Sequence, residues 1–362
     1  MTIRIEHIYR YPVKGMRAER LQRGQLEAGG GLKFDRAFAF TSGNLPPPDA
    51  DTAWSPSRSF LQMTYYPRLA GFSAKLDEEA GSLTVTSPDD LTATAALDGA
   101  DDAAVNGLMN RHFRAGPKGP VRLNRISAAP GHWDFADTTV SIINQASVEW
   151  LEYVSAMTLS GLRFRGNIYV SGLEPWEEFS LIGRTVRIGK ARLKLLRPAM
   201  RCAATSADPW SGDTSIDVPG MMRHYLGHVF CGIYAKVLEA GDIFEDDRLR
   251  PVDDEPFNPA SQAPAPTPDP LLWPRAAIVE RGSDGALSLR PQDGAWPFLP
   301  ANAGARVTVH PGLDHMGEPV RAALCATASA ERLPITGDGI DGLFDGARVI
   351  VSGPVPLGKG RA

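Results

Sequence analysis

The sequence predicts an α+β fold that is mainly β and divided into three units. Glycine (36) and proline (30) are abundant and dispersed through the 362 residues. They punctuate many short apolar runs, the texture of strands joined by turns rather than of long helices. The clearest helical spacing is at 144–157, with Val148, Leu151 and Val154 on one face and Trp150 nearby. Seven prolines fall within residues 251–270. Proline fixes φ and continues neither regular structure, so this stretch reads as a semi-rigid linker. A chain of this length also exceeds a single ordinary core.

Taken in order, Ile3, Ile5 and Ile8 alternate as a strand that Pro12 ends. The glycine-rich turn at 28–36 leads into a strand at 37–40. After a proline-rich loop at 41–58, residues 60–76 resume the strand pattern and 82–87 alternate cleanly. Residues 1–125 therefore read as one β-rich, barrel-like unit. Strands are expected at 138–144, at 167–171, and as a pair within 176–196 turning at Gly189-Lys190. A short helix is expected at 218–228 and a final strand with a glycine turn at 230–243. Residues 126–250 thus form a second unit on a strongly bent sheet. Beyond the linker, 271–362 reads as a further β-rich unit, with strands at 276–280, 286–290, 305–311 and 347–353.

Composition narrows the class. The chain is 43% apolar and 22% charged with a net charge of −4, which suits a globular protein and gives no sign of a nucleic-acid partner. The cysteines, Cys202, Cys231 and Cys325, are odd in number and widely spaced, so they build no disulfide framework or zinc ribbon. A reducing, cytoplasmic setting is the expectation. The first residues alternate charge and apolarity and do not read as a signal peptide, and no window has the apolar length of a membrane helix.

The candidate chemistry centres on 197–213, RPAMRCAATSADPWSGD, where a strand gives way to a loop. Loops on a rigid scaffold tend to carry function. Cys202 follows Arg201, and a neighbouring cation favours the thiolate, which is both nucleophile and metal ligand. Asp208-Pro209 before Ser211-Gly212 is turn chemistry that would shape the loop around the thiol. Lys14, Arg36 and Arg165 each stand at a turn or strand end beside exposed backbone; if they converge they suit a phosphate. His224 and His228 have zinc-binding spacing, but the intervening Tyr225-Leu226-Gly227 lacks the glutamate of a zinc-protease helix, so a structural or surface pair is expected. Glu177 and Glu178 read as a solvent-facing turn. No dinucleotide fingerprint, P-loop or nucleophile elbow is present.

Together these segments resemble one family. YPVKG (11–15), GLKFDRAF (31–38) and YYPRLAGF (65–72) are similar to the β-barrel domain that precedes MOSC domains. SIINQASVEWL (141–151), FRGNIYVSG (164–172), WEEFSLIGRTVRIG (176–189), RPAMRCAATSADPWSG (197–212) and EAGD (239–242) resemble the MOSC domain itself. The resemblance extends to the amidoxime-reducing components and covers about the first 250 residues. It implies molybdenum cofactor, a pterin dithiolene bearing a phosphate, with Cys202 as metal ligand. It implies that Lys14, Arg36, Ser147, Arg165, Asn167 and Arg201 hold the pterin and phosphate. Thr205 and Asp208 are implied to support catalysis in the following loop. The implied activity is reduction of a small N-hydroxylated or N-oxide substrate with electrons from an external electron-transfer protein. A persulfide carrier using Cys202, a non-catalytic cofactor-binding protein, and pyridoxal phosphate binding are further associations. The chain departs from the family pattern at Gly15 (usually serine), Gly166 (usually proline) and Ala199 (often cysteine). Its last unit holds only Cys325, too few cysteines for the plant-type ferredoxin cluster of some relatives.

Overall fold

The computed structural model describes residues 2–45, 54–125, 131–135, 137–226, 228–252, 275–291, 306–311, 320–324, 333–337, 340, 343 and 345–352. The first strands are β1 (Ile3–Arg10), β2 (Glu19–Leu21), β3 (Arg23–Glu27), β4 (Gly31–Leu32) and β5 (Phe38–Phe40). A three-stranded meander follows, β6 (Ser73–Asp77), β7 (Ser82–Thr86) and β8 (Thr92–Ala96). Helix α1 (Ala103–His112) and β9 (Leu123–Arg125) complete this part. Then come β10 (Val140–Asn144), α2 (Gln145–Ser155), β11 (Ile168–Ser171), β12 (Thr185–Ile188) and β13 (Ala191–Met200). Helix α3 (Val218–Leu226), β14 (Phe230–Glu239), β15 (Gly241–Phe244) and β16 (Arg248–Pro251) follow.

Seven strands run in the order β11-β10-β14-β13-β12-β16-β1, and β1 pairs back with β11 to close the ring. β1, near the start of the segment expected to form the first unit, is therefore a stave of the barrel completed by residues 140–251. β10 and β11 are parallel, with Ile142 opposite Ile168, and α2 is their crossover. Asn144 caps α2, its side chain accepting from the Ala146 N–H, and Ala156 ends the helix in the left-handed region. The barrel buries Ile5, Ile8, Ile142, Ile168, Val186, Leu193, Leu195 and Ile233. Leu193 and Leu195 are alternate positions of β13, and a register shift between Ile5 and His7 lets Ile5 and Ile8, three residues apart, join the same core. Trp150 of α2 packs edge-to-face on Trp176 at 5.7 Å.

A second core gathers Met16, Phe38, Leu61, Leu69, Phe72 and Phe113 around the meander, α1 and the β5–β9 pair. Beyond residue 275, β17 (Arg275–Arg281), β18 (Leu287–Pro291), β19 (Arg306–Pro311), β20 (Val320–Leu324), β21 (Leu333–Thr336) and β22 (Arg348–Ser352) form a separate closed barrel in the order β17-β18-β21-β20-β19-β22. Its interior holds Val279, Leu289, Val309 and Val349. The Pro-rich linker falls almost wholly outside the described residues, as does Cys325.

The observed fold is mainly β with few helices. Four local expectations change. Residues 60–72 form no strand: Pro67 opens a 3-10 turn through Gly71, and only Ser73–Asp77 is extended. Helix α1 has no counterpart in the sequence pattern, because it buries only Val105, Leu108 and Met109 and carries Asn106 and Gly107 inside. Glu177 and Glu178 are buried in a 3-10 turn, Glu177–Leu181, not solvent-facing. The helix expected at 218–228 ends at Leu226, which leaves His224 exposed on α3 and His228 buried beyond it.

Leu195→Ala, inside the closed barrel, is expected to cost about 2–5 kcal/mol in urea denaturation. Leu238→Ala, at an exposed position of β14, should stay within about 0.5 kcal/mol.

Candidate functional site

Barrel and second core meet at a cavity of about 350 Å³, a volume suited to a small molecule. Its lining brings together Lys14, Arg36, Arg165, Arg201, Cys202 and Thr205, which the sequence scatters over most of its first two units. Ser147, Asn167 and Asp208 are not among the lining residues.

One wall is cationic. Arg36 and Arg165 both sit in left-handed backbone, at φ 54° and 51°. Their guanidinium groups lie over the Tyr11 ring at 4.7 and 4.2 Å, and Arg36 also faces Trp133 at 4.9 Å. Arg36 donates to the Arg165 carbonyl at 3.1 Å and pairs with the buried Asp35 carboxylate. Asp35 in turn accepts from the Tyr11 N–H at 2.8 Å. The Lys14 ammonium donates to the His132 carbonyl at 2.9 Å and to Asp134 at 2.5 Å. Arg165 differs from its neighbours. It donates to the Met16 carbonyl at 2.8 Å, and among the described residues it has no carboxylate partner.

The electrostatics follow from that packing. Desolvation, partly opposed by Tyr11 and reinforced by the Arg36 charge, lowers Arg165 to about 10. Burial also lowers Lys14, with Asp134 acting the other way. Burial works against the Asp134 charge, but Lys14 overrides it and holds that carboxyl at about 2. Desolvation pushes Tyr11 up to about 12 against the pull of both arginines. The wall carries surplus positive charge, and an anion entering the cavity would relieve it.

The same cavity is also lined by sulfur. Cys202 is exposed at the start of the turn Ala203–Ser206, its Sγ 3.9 Å from the Thr64 hydroxyl. Thr205 donates its hydroxyl to the Cys202 carbonyl at 2.9 Å. Arg201 does not turn toward the neighbouring thiol, contrary to the sequence expectation. It points inward, to the carbonyls of Cys231 and Phe164. Asp208 Oδ1 accepts from the N–H groups of Trp210 and Ser211 and from the Ser211 hydroxyl. Its Oδ2 meets Arg163 at 3.3 Å, and Arg163 also donates to the Ser206 carbonyl at 2.7 Å. Asp208 and Arg163 thus brace the loop that carries Cys202. Cys231 is buried and desolvation pushes its thiol well up, the state of an inert packing cysteine.

Ser147 and Asn167 are wholly buried in the scaffold. Ser147 bonds Glu178 and accepts from the Trp176 N–H at 2.8 Å. Asn167 accepts from the Ser141 N–H and donates to the Tyr9 carbonyl, each at 3.1 Å. Sequence reasoning missed Arg163, Asp134 and Glu178. The only signal for Glu178 was an acidic pair set between apolar residues, Trp176 and Phe179.

Comparison with known proteins places this architecture. The family model of the MOSC domain matches residues 111–250, and that of the MOSC N-terminal beta barrel domain matches residues 2–120. The chain belongs to the MOSC family. MOSC domains are associated with molybdenum cofactor in general. No match is found among the curated proteins. Solved structures similar to this MOSC chain include YiiM of Geobacillus stearothermophilus, at 21% identity and TM-score 0.26, covering 32% of this chain and 54% of that one. YuaD of Bacillus subtilis is similar at 13% identity and TM-score 0.34, covering 69% and 94%. YiiM of Escherichia coli is similar at 18% identity and TM-score 0.25, covering 32% and 55%. The chain thus spans about half the length of the YiiM structures it matches. The family match lends no support to pyridoxal phosphate, and the lysine of the lining, Lys14, is engaged by His132 and Asp134. Among the described residues no helix is long and apolar enough to cross a membrane.

Beside the cationic wall, His132 is buried, and desolvation together with the Lys14 charge lowers its imidazole to about 3. The unfolded chain binds this proton at pH values where the folded chain does not. Stability should therefore be full above about pH 6.5 and fall by up to about 1.4 kcal/mol per unit as pH drops toward 3. His132→Phe, which keeps a ring against Phe60, should flatten that part of the pH–stability curve measured by urea denaturation.

Proposed function

We propose that the cavity binds molybdenum cofactor and that the protein reduces small N-hydroxylated or N-oxide substrates with electrons from an external protein donor. One observation carries this reading: a single cavity is lined both by the exposed Cys202 thiol and by the half-buried Arg165, which among the described residues has no carboxylate partner. That donor set fits a ligand with a soft metal at one end and an anion at the other. Among the described residues no cluster of three or more His, Cys, Asp or Glu is placed to hold a metal. A metal here would take its remaining ligands from the cofactor, which the pterin dithiolene provides.

In this reading Arg165, Arg36 and Lys14 hold the phosphate through charge-assisted hydrogen bonds. The Tyr11 ring keeps the two guanidinium groups in place before the ligand arrives, so little ordering remains to be done on binding. Cys202 presents its sulfur to the metal. Thr205, Arg163 and Asp208 keep the turn around it from moving. When bound, the cofactor supplies a two-electron redox centre. The open side of the cavity, at the half-exposed Phe135 and the exposed Met200, is left for substrate. Reduction in the cytoplasm by a partner protein is part of the same proposal.

An exposed thiol in contact with the Thr64 hydroxyl at 3.9 Å also suits a persulfide carrier. Mass spectrometry separates the two, because a carrier shows sulfane sulfur on Cys202.

Protein produced with cofactor supply should contain molybdenum and pterin in near-equal amounts by elemental and fluorescence analysis. Cys202→Ala should lose most of the metal. Arg165→Ala should weaken pterin retention by about 10- to 100-fold, the cost of one charge-assisted contact. Absence of both metal and pterin from the wild-type protein sinks the reading.

A further inference from the structure

The peptide joining Cys231 to Gly232 lies between two buried charges. Its carbonyl, that of Cys231, accepts from Nε and Nη2 of Arg201 at 2.9 and 2.6 Å. Its N–H, that of Gly232, donates to Glu178 Oε1 at 3.3 Å. Glu178, 1% exposed, also accepts from Asn144 Nδ2 and from the Ser147 hydroxyl, both at 2.9 Å. Arg201 is likewise buried, and its remaining bonds go to the Phe164 carbonyl at 2.7 Å and the Ser141 hydroxyl at 3.4 Å.

Among the described residues neither Glu178 nor Arg201 forms a direct ion pair. A charge out of water persists only when it is paired and hydrogen-bonded. Burial raises the Glu178 pKa, opposed by the donors from Asn144, Ser147 and Gly232, and the peptide between the two side chains presents its positive N–H end to the carboxylate and its negative oxygen to the guanidinium. The backbone is built for this orientation. Gly232 stands at φ +72°, and a Cβ there would come within 2.4 Å of the Ile142 carbonyl oxygen.

What Arg201 fixes matters, because the next residue is Cys202. The Arg201 N–H donates to the Val229 carbonyl at 2.8 Å, so both its backbone and its side chain are tied to the start of β14. The chain then leaves β13 directly into the turn that lines the cavity.

We propose that Glu178 is a positioning residue. Through the 231–232 peptide it fixes the Arg201 guanidinium, and the fixed Arg201 sets where the Cys202 thiol enters the cavity. Ser147 and Asn144 serve the same end by holding the Glu178 carboxylate, which gives Ser147 a task away from any cofactor. The functional meaning rests on Cys202 being the working thiol; the geometry itself does not.

The test uses full-length protein without added cofactor. Glu178→Gln is nearly isosteric, removes the charge and turns one accepting oxygen into an amide donor. Iodoacetamide labelling of Cys202, resolved peptide by peptide in mass spectrometry, should change several-fold in rate, while Cys231 stays unlabelled. Leu195→Ala controls for a merely structural effect, since it weakens the barrel and should leave the Cys202 rate unaltered. A double-mutant cycle of Glu178→Gln and Arg201→Met adds an independent readout. Each single substitution should lower the denaturation midpoint, and the double should lower it by clearly less than the sum, because no lone charge is left. Unchanged Cys202 labelling in Glu178→Gln, or an additive cycle, overturns the proposal. Both outcomes are read without molybdenum, so a failure of the cofactor reading is seen separately, as wild-type protein that labels normally and carries no metal.

Discussion

The antiparallel contact of β1 with β11 does more than close a ring. The Tyr9 N–H donates to the Asn167 carbonyl at 2.7 Å, and the Asn167 side chain returns a bond to the Tyr9 carbonyl while accepting from Ser141 on β10. One side chain therefore ties three strands together. Just past this staple, β1 runs on into Tyr11 and Lys14, while Arg165 comes just before β11. Closure brings Lys14 and Arg165 to one cavity, although they lie in different units of the sequence. A buried amide with all these partners leaves little freedom in the register, because slipping by one residue would strand several buried polar groups at once.

Closure also creates an electrostatic problem. Lys14, Arg36 and Arg165 converge in a partly dry space, and like charges there repel with little screening. Asp35 answers Arg36, Asp134 answers Lys14, and the face of Tyr11 receives two guanidinium groups. The supply of anions stops short by one, and Arg165 is the cation left over. A surplus placed on a cavity wall, rather than on an open surface, is the arrangement a bound anion would complete. The same wall cannot be credited to Arg201, which the sequence places beside the thiol but whose donors all point into the scaffold.

Much of this is legible in the amino-acid sequence. Period-two alternation locates β1 and β7, because strands half-facing a core must alternate, and the Gly189-Lys190 turn locates the β12–β13 pair. The strand-to-loop change at Cys202 and the turn-end cations at Lys14, Arg36 and Arg165 are visible as residue types in the right local setting. The seven-strand closure is not, since nothing local in Ile3–Arg10 says that its partner lies at residue 168 and beyond. Glu178 is hidden for a related reason. Two adjacent acids look solvated, and only the donors from Asn144, Ser147 and Gly232, distant in sequence, explain how one of them stays inside. Helix α1 escapes the pattern because three buried residues over ten give too weak a period to separate it from a loop.

The geometry divides by place the positions that the family resemblance implies. Lys14, Arg36, Arg165, Cys202 and Thr205 line the cavity, whereas Ser147, Asn167 and Asp208 hold the parts that do. Asp208 shows why the distinction has chemical content. Desolvation favours its neutral form, but two backbone N–H groups, the Ser211 hydroxyl and the nearby Arg163 charge outweigh that and lower its pKa. A carboxylate so held stays ionised and has each oxygen already engaged. It is well suited to brace a loop and poorly suited to deliver a proton. Polar residues at such a site thus need not touch the ligand, because the lining residues are only as well placed as the buried bonds behind them.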